Sequence, residues 1–120
     1  MIYAGTSYAI AMLEVLVHAN LGRPPSAARY VEASLPDDIA VERLDPAALP
    51  DWDGEDLSIP QAHGARWLAA ARSTVLLVPS VVTKLDLNAV INPAHPDAAR
   101  LLTTAEAPVA WDERLFHRSI

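Results

Sequence analysis

The sequence contains no cysteine among its 120 residues, only four glycines, and fewer basic than acidic side chains. The absence of cysteine excludes a disulfide framework, a thiolate zinc site and a cysteine nucleophile. The four glycines are scattered, so they do not form a Walker or Rossmann phosphate-binding loop. Nine Lys and Arg against fifteen Asp and Glu give a net charge of −6, which argues against direct binding to nucleic acid or to an anionic membrane surface.

Long apolar runs are also missing. No stretch of about 18 uncharged apolar residues occurs, and the first residues lack the basic start and apolar run of a signal peptide. The sequence therefore predicts a soluble, cytoplasmic protein with no membrane segment. Its hydrophobic fraction of 52% is high enough for one compact domain over residues 1–120. The chain opens on strand-like apolar residues, as though it began partway through a structural element.

Local patterns predict an α+β fold with a mixed β-sheet and flanking helices, because helical and strand segments follow no regular βαβ alternation. Helices are predicted over residues 6–20, with Thr6 or Ser7 as the N-cap, and over residues 60–72, with Ser58 as the cap. An all-round apolar pattern predicts that the first helix is buried on most sides.

The strand predictions come from alternation and from one apolar run. Two alternating segments predict a hairpin, and the run over residues 74–78 predicts a central strand. The predicted elements are the hairpin of 29–35 with 39–44, a loop over 45–58 anchored by Trp52, strands over 74–78, 88–92 and 108–111, and a brief helix from Pro96 to Leu102.

The first helix carries the most informative polar residues. At about 100° per residue, Ser7, Glu14 and His18 fall within roughly 40° of one another, forming one narrow polar stripe on an apolar helix. The stripe could be the solvent edge of the helix, or Glu14 and His18 could form an ordinary i,i+4 pair. A surface helix usually shows a wider polar face, so the alternative is a catalytic or ligand-orienting carboxylate that faces a cleft or a partner.

Two further positions are candidates from the residues alone. Ser80 follows the predicted central strand, where open sheets place binding groups, although a Ser at a strand exit can simply satisfy local backbone groups. Asn92 is a candidate ligand contact within a segment that otherwise indicates turn chemistry. His95 and Asp97 lie in that segment, but the histidine spacing matches no metal motif, so no metal site is predicted.

Taken in order, these segments resemble the RES domain family, the toxins of bacterial RES–Xre toxin–antitoxin pairs. The matching stretches cover nearly the whole chain. They are Ile2–Ser7, Leu13–His18, Leu77–Ser80, Val90–Asp97 and Trp111–Phe116.

The resemblance implies an ADP-ribosyltransferase-like fold and cleavage of NAD, as substrate, at the nicotinamide–ribose bond. By motif match the family's catalytic Glu falls on Glu14 and its Ser on Ser80, which would hydrogen-bond the nicotinamide ribose or amide. Tyr3 would stack on the nicotinamide ring. Ser7, His18 and Asn92 complete the expected NAD-binding set.

The family's arginine, which would bind the pyrophosphate, lies upstream of the Glu, and neither Arg23 nor Arg29 matches it. The resemblance therefore predicts an N-terminally short RES-like domain with exposed sheet edge and apolar surface beside its first strand. Three functions stay open. The chain could hydrolyse or phosphorolyse NAD, it could ADP-ribosylate a protein, or it could be an inactive module that binds an antitoxin or a second copy of a similar subunit. The expected partner is an Xre-type antitoxin, which would carry any contact with DNA.

Overall fold

The structure is a computed structural model, and it describes residues 1–19 and 25–116. Within these residues the chain forms two α-helices, α1 (Tyr8–Ala19) and α2 (Ser58–Ala70). The strands are β1 (Ile2–Gly5), β2 (Arg29–Tyr30), β3 (Ala33–Ser34), β4 (Val41–Arg43), β5 (Val75–Pro79), β6 (Leu87–Ile91), β7 (Leu102–Thr103) and β8 (Ala107–Pro108). Short 3₁₀ helices cover Pro46–Ala48, Pro96–Arg100 and Glu113–Phe116.

The main sheet has the strand order β1-β6-β5-β4. Antiparallel pairs join β1 to β6 and β6 to β5, whereas β4 lies parallel to β5. The sheet is therefore mixed, and with its helices it confirms the predicted α+β class. The apolar run predicted as a central strand is confirmed as β5, which has a strand on each side.

The predicted hairpin of residues 29–35 with 39–44 is wrong. Its first segment splits into β2 and β3, which pair with β8 and β7, and its second forms β4 beside β5. Alternation reports which side chains share a face, but it carries no information about the partner strand. The apolar strand β5 needs hydrogen-bonding partners on both edges, and β4 supplies the second one.

Both predicted helices are present with shifted bounds. Ser7 caps α1, since its hydroxyl oxygen accepts a hydrogen bond from the Ile10 amide at 3.2 Å. The predicted end of this helix near residues 20–24 lies outside the described residues. Helix α2 begins at Ser58, two residues earlier than predicted. Ser58 is not its side-chain cap, because the Asp56 carboxylate accepts from the Ser58 amide and hydroxyl instead.

The remaining short elements differ from their predicted bounds by a few residues. The strand predicted over 88–92 is β6, and the brief helix predicted from Pro96 is a 3₁₀ helix that ends at Arg100. The last predicted strand, over 108–111, shares only Pro108 with β8, so residues 109–111 are not in a strand. The one-residue or two-residue shifts at the ends of β6 and of the 3₁₀ helix are expected where an element ends without a strong stop signal.

The core lies between α2 and one face of the main sheet. Trp67 of α2 is 3% exposed and packs with three apolar side chains of the sheet side. Its indole N–H donates to the Ser73 hydroxyl at 2.8 Å, and that hydroxyl donates to Glu42 Oε2 at 2.6 Å. The hydrogen bond from Ser73 holds the pKa of the Glu42 carboxyl below its usual value. The packing partners are Leu44, Leu76 and Val90.

The expectation that α1 is buried on most sides is wrong. Ile10 is buried, but several large apolar side chains of the helix are at least 36% exposed. One side of α1 approaches the main sheet, and the described residues leave much of the outer side uncovered. An apolar composition predicts burial only where another element is available to pack against it. The exposed side chains are Tyr8, Leu13, Val15 and Val17.

Gly5 permits the close approach of β1 and α1. A Cβ atom built at Gly5 would lie 2.7 Å from the Ala11 backbone nitrogen and 3.0 Å from the Ser7 carbonyl oxygen. Both neighbours are backbone atoms and cannot rotate away. We expect Gly5→Ala to lower the free energy of unfolding by about 1–3 kcal/mol, as overpacking does elsewhere. Urea denaturation followed by circular dichroism measures this loss.

Gly64→Ala is the matched control. Gly64 lies inside α2, and a Cβ there would meet only the flexible end of Met1 at 3.8 Å. Alanine favours the helix over glycine, so this variant should be stabilised by about 0.5–1 kcal/mol. Equal effects of the two substitutions would contradict the account of Gly5.

Candidate active site

The site is built on one face of the main sheet. Tyr3 pairs with Val90 and Val90 with Leu76, so these three side chains form one row across β1, β6 and β5. Two residues further along each strand, the next row on this face joins Gly5, Asn88 and Val78. Paired residues project to the same face, so Asn88 lies on the face that carries the core. Because Gly5 has no side chain, α1 can pass close above this second row.

Glu14 of α1 reaches down to the sheet at this point. Its Oε1 atom accepts a hydrogen bond from the Ser80 hydroxyl at 2.9 Å and another from Asn88 Nδ2 at 2.9 Å. The carboxylate is largely covered, with 22% of the side chain exposed. Two donors to one oxygen offset the cost of removing a carboxylate from water. The structure thus joins residues that are 66 and 74 positions apart.

Ser80 is fixed by the tight turn after β5. The Val82 and Thr83 amides donate to its hydroxyl oxygen at 3.2 and 3.1 Å, and its own amide donates to the Asp86 carbonyl at 2.8 Å. The side chain is fully buried. The Ser80 hydroxyl therefore pairs with local backbone amides and also contacts Glu14. The hydroxyl has one proton, and it points at the carboxylate.

His18 lies one turn beyond Glu14 and is 77% exposed. Its Nδ1 atom is 2.7 Å from the Glu14 carbonyl oxygen, which only accepts, so Nδ1 carries the proton and donates. The same atom lies 3.8 Å from Glu14 Oε2. The i,i+4 pair is present, and it leaves the imidazole at the rim of a cleft rather than in the core.

The cleft beside these residues has a volume of about 450 Å³, within the range of small-molecule sites. Its walls come from β1, the main sheet, α2 and the loop between β4 and α2. Apolar and aromatic side chains dominate the lining. Three of the lining residues adjoin the cluster: His18 lies one turn after Glu14, Val78 pairs with Asn88, and Pro79 precedes Ser80. Glu14, Ser80 and Asn88 are not themselves lining residues, so the carboxylate cluster lies next to the cleft through these three neighbours.

An ion pair joins the turn that holds Ser80 to the loop between β4 and α2. Lys84 Nζ lies 2.9 Å from Asp53 Oδ2 and 5.5 Å from the centre of the Trp52 ring. The hydrogen bond from Lys84 lowers the pKa of the Asp53 carboxyl from its usual value. Trp52 and Asp53 both line the cleft, so the predicted anchor of this loop lies in the site wall. Lys84 takes a left-handed backbone conformation, φ 67°, at the end of the turn that holds Ser80.

The other predicted residues occupy different positions. Tyr3 is 73% exposed and lines the cleft. Ser7 is exposed, with its hydroxyl used as the α1 cap. Asn92 is buried, and its amide donates to the Leu68 carbonyl while its oxygen accepts from the Ala94 amide. The structure brings Glu14, Ser80 and His18 together and leaves Tyr3 in the cleft wall, and it places Asn92 in the turn after β6.

Sequence reasoning missed Asn88 as a site residue. The sequence predicts Asn88 only as the start of a short strand, since an amide in a strand is not by itself a functional signal. Its register opposite Gly5, the one glycine of β1, is the feature that could have identified it, because that pairing leaves space above the amide.

His95 is used in turn chemistry, as the sequence predicts. Its Nδ1 accepts from the Asp97 amide at 3.0 Å. In the part of the chain that the structure describes, no group of three or more His, Cys, Asp or Glu could hold a metal ion. Neither described helix has the length and apolar character needed to cross a bilayer.

The fold and the cluster define an α+β domain that places a hydrogen-bonded carboxylate beside an apolar cleft on a mixed sheet. Comparison with known families gives it a more specific assignment. The chain belongs to the RES domain family, whose model matches residues 1–112 and whose fold is ADP-ribosyltransferase-like. The predicted family resemblance is thereby confirmed.

Individual relatives agree with this assignment. A Sphingobium protein named Prs ADP-ribosylating toxin is 35% identical over 122 residues, which cover 98% of this chain and 76% of the relative. A Pseudomonas putida protein named Toxin Res is 34% identical over 117 residues, covering 96% of this chain and 79% of the relative. A Photorhabdus laumondii protein, also named Toxin Res, is 28% identical and covers 88% of this chain and 68% of the relative.

Proposed function

We propose that this RES domain is the toxin of a bacterial toxin–antitoxin pair and that it breaks the bond between nicotinamide and ribose in NAD. One observation carries the proposal: the Glu14 carboxylate is held by Ser80 and Asn88 next to an apolar cleft whose lining includes the adjoining residues His18, Val78 and Pro79. The relatives named as toxins support the biological setting.

The chemistry requires a fixed negative charge. The glycosidic bond of NAD breaks through a transition state in which positive charge develops on the ribose ring. A carboxylate already oriented and partly desolvated stabilises that charge without reorganising solvent. Glu14 meets this requirement because Oε1 is fixed by two donors, which leaves Oε2 for the substrate. Nicotinamide leaves as a neutral molecule with the bonding electrons.

The cleft suits the planar aromatic end of the substrate. Its volume of about 450 Å³ and its largely apolar lining fit a planar ring and the attached ribose. Tyr3 is exposed at this position and offers a ring face for stacking. Trp52 supplies a second aromatic wall. At the rim, the Nδ1 proton of His18 is committed to the Glu14 carbonyl, so its Nε2 atom is placed to accept a hydrogen bond from a ribose hydroxyl.

We propose roles for Ser80 and Asn92 that differ from the direct contacts with NAD expected from the sequence. All hydrogen-bonding capacity of the Ser80 hydroxyl is used within the protein, so a contact with the nicotinamide ribose would require exchange of one bond. We assign Ser80 to holding Glu14. The Asn92 amide is committed to Leu68 and Ala94, so we assign it to shaping the turn.

The acceptor of the ADP-ribosyl group is tested with NAD labelled on the adenine. With water as acceptor, water adds to the ribose carbon, and the products are ADP-ribose, nicotinamide and one proton. Label in free ADP-ribose or its phosphate supports the NAD-degrading activity. The name of the Sphingobium relative, an ADP-ribosylating toxin, favours a second candidate, protein ADP-ribosylation. Label attached to protein would support that candidate.

The same assay tests the remaining alternative, an inactive module. Intact NAD after incubation at micromolar protein, together with a stable complex with an Xre-type antitoxin, would reject NAD cleavage and support a binding role. An antitoxin is the proposed partner under each alternative. Size-exclusion chromatography of the chain with and without the antitoxin tests this and also reports any association between copies of the chain.

A further inference from the structure

Asn88 and Ser80 converge on the same carboxylate oxygen. Asn88 Nδ2 and Ser80 Oγ each lie 2.9 Å from Glu14 Oε1, and they approach it from β6 and from the turn that follows β5. One hydrogen bond leaves a carboxylate free to rotate about it, whereas two from different directions fix the plane of the group. Glu14 Oε2 keeps only the 3.8 Å approach of His18 Nδ1 among the described contacts.

The orientation of the Asn88 amide is set by Glu14. A carboxylate only accepts hydrogen bonds, so the amide must present its nitrogen to Glu14. Its oxygen, Oδ1, then points the other way, where it is buried and has no partner among the described residues. An unpaired buried acceptor destabilises a fold, so such a group calls for a specific explanation. The hydrogen bond from Asn88 Nδ2 to Glu14 is that explanation, because it requires the amide orientation that leaves Oδ1 without a partner.

We propose that Asn88 is a positioning residue that holds the Glu14 carboxylate in the rotation that presents Oε2 to the cleft. This role rests on the proposed function, in which Glu14 stabilises the developing positive charge. Asn88 acts through Glu14 and does not contact the substrate. Its loss should therefore reduce turnover while leaving substrate binding largely intact, because the affected interaction forms in the transition state.

The kinetic test uses two substitutions. Asn88→Ala removes the donor, and kcat for nicotinamide release should fall by about tenfold to a hundredfold, the effect of losing one hydrogen bond to a charged group, with little change in KM. Asn88→Asp keeps the shape but places a second carboxylate against Glu14, so kcat should fall at least as far. A raised KM with unchanged kcat would overturn the proposal.

Thr74→Val is the matched control for loss of stability. Thr74 lies just before the opposite end of β5, is fully buried, and its hydroxyl is 3.0 Å from His95 Nδ1. This variant loses one buried hydroxyl contact far from Glu14 and should retain kcat. If Thr74→Val lowers kcat as much as Asn88→Ala, the effect is general destabilisation and positioning is rejected.

A second measurement does not depend on turnover. The side-chain amide resonances of Asn88, observed by ¹⁵N-edited NMR, should shift on Glu14→Ala and stay in place in Thr74→Val. Unchanged resonances on Glu14→Ala would overturn the positioning role whatever the enzymatic activity. A chain that shows the shift but releases no nicotinamide would instead reject the reaction assigned to Glu14, and with it the role of Asn88 in that reaction.

Discussion

Glu14→Gln should lower the rate of nicotinamide release from NAD by about a hundredfold to a thousandfold, the range found when an electrostatic contact to a transition state is removed. Glutamine keeps the shape of the side chain, and its carbonyl oxygen can still accept from Ser80 and Asn88. The substitution therefore removes the negative charge while preserving the hydrogen bonds that fix the group. Loss of activity in this variant would report the charge itself.

The matched control is Glu32→Gln, which removes the same charge at an exposed position outside the site. We expect it to retain the parent rate, and both variants to unfold near the same temperature as the parent. Initial rates of nicotinamide release, measured by chromatography at saturating NAD, make the comparison. A Glu14→Gln rate within about threefold of the parent would contradict the role of the carboxylate, since a few kcal/mol of electrostatic stabilisation is expected.

Trp67→Ala should lower the free energy of unfolding by about 3–5 kcal/mol, as truncation of a buried aromatic side chain does. Trp67 is buried, packs on Leu44, Leu76 and Val90, and donates to the Ser73 hydroxyl. The substitution leaves a cavity and removes the donor to Ser73. Because domains are stable by only about 5–15 kcal/mol, much of the chain should lose its fold near physiological temperature.

Two comparisons sharpen this prediction. Trp67→Phe keeps most of the packing and loses only the indole hydrogen bond, so its cost should be about 1–2 kcal/mol. Trp52→Ala truncates a half-buried ring at the cleft wall and should cost less than Trp67→Ala. Urea unfolding followed by far-ultraviolet circular dichroism measures all three. A loss below about 1 kcal/mol for Trp67→Ala would show that the core is centred elsewhere.

Local signals in the sequence were sufficient for the elements that position the site. The hydroxyl cap at Ser7 and the apolar run beyond it predicted α1, and the β-branched run before Pro79 predicted the interior strand β5. Periodicity also placed Glu14 and His18 on one side of α1, where the structure has them at the sheet and the cleft rim. These features depend on neighbouring residues, so a single sequence contains them.

Local sequence patterns could not predict which strands and side chains pair when they lie far apart in the chain. The alternating segments around Pro36 indicated strands but suggested a hairpin, whereas the structure pairs them with β5, β7 and β8. The contact of Glu14 with Ser80 joins a helix to a turn 66 residues away. The family resemblance selected both residues, but nothing in their local sequence placed them in contact. Asn88 was missed for the same reason, because its partner lies on a distant helix.

The exposed side of α1 shows a different limit of prediction from the sequence. The residues from Tyr8 to Val17 are apolar on nearly every side, which is a sound reason to expect burial. Whether a helix is covered depends on the elements packed around it, and those elements are far away in sequence. On β1, Ile2 and Tyr3 are both exposed.

The most direct test of the central claim is a structure of the Glu14→Gln variant with NAD bound. The account predicts that the nicotinamide end occupies the cleft beside Tyr3 and that the anomeric carbon of its ribose lies roughly 3–3.5 Å from the side chain at position 14, as a near-attack geometry requires. NAD bound elsewhere, or bound in the cleft with its ribose far from position 14, would contradict the assignment of Glu14 to the reacting bond.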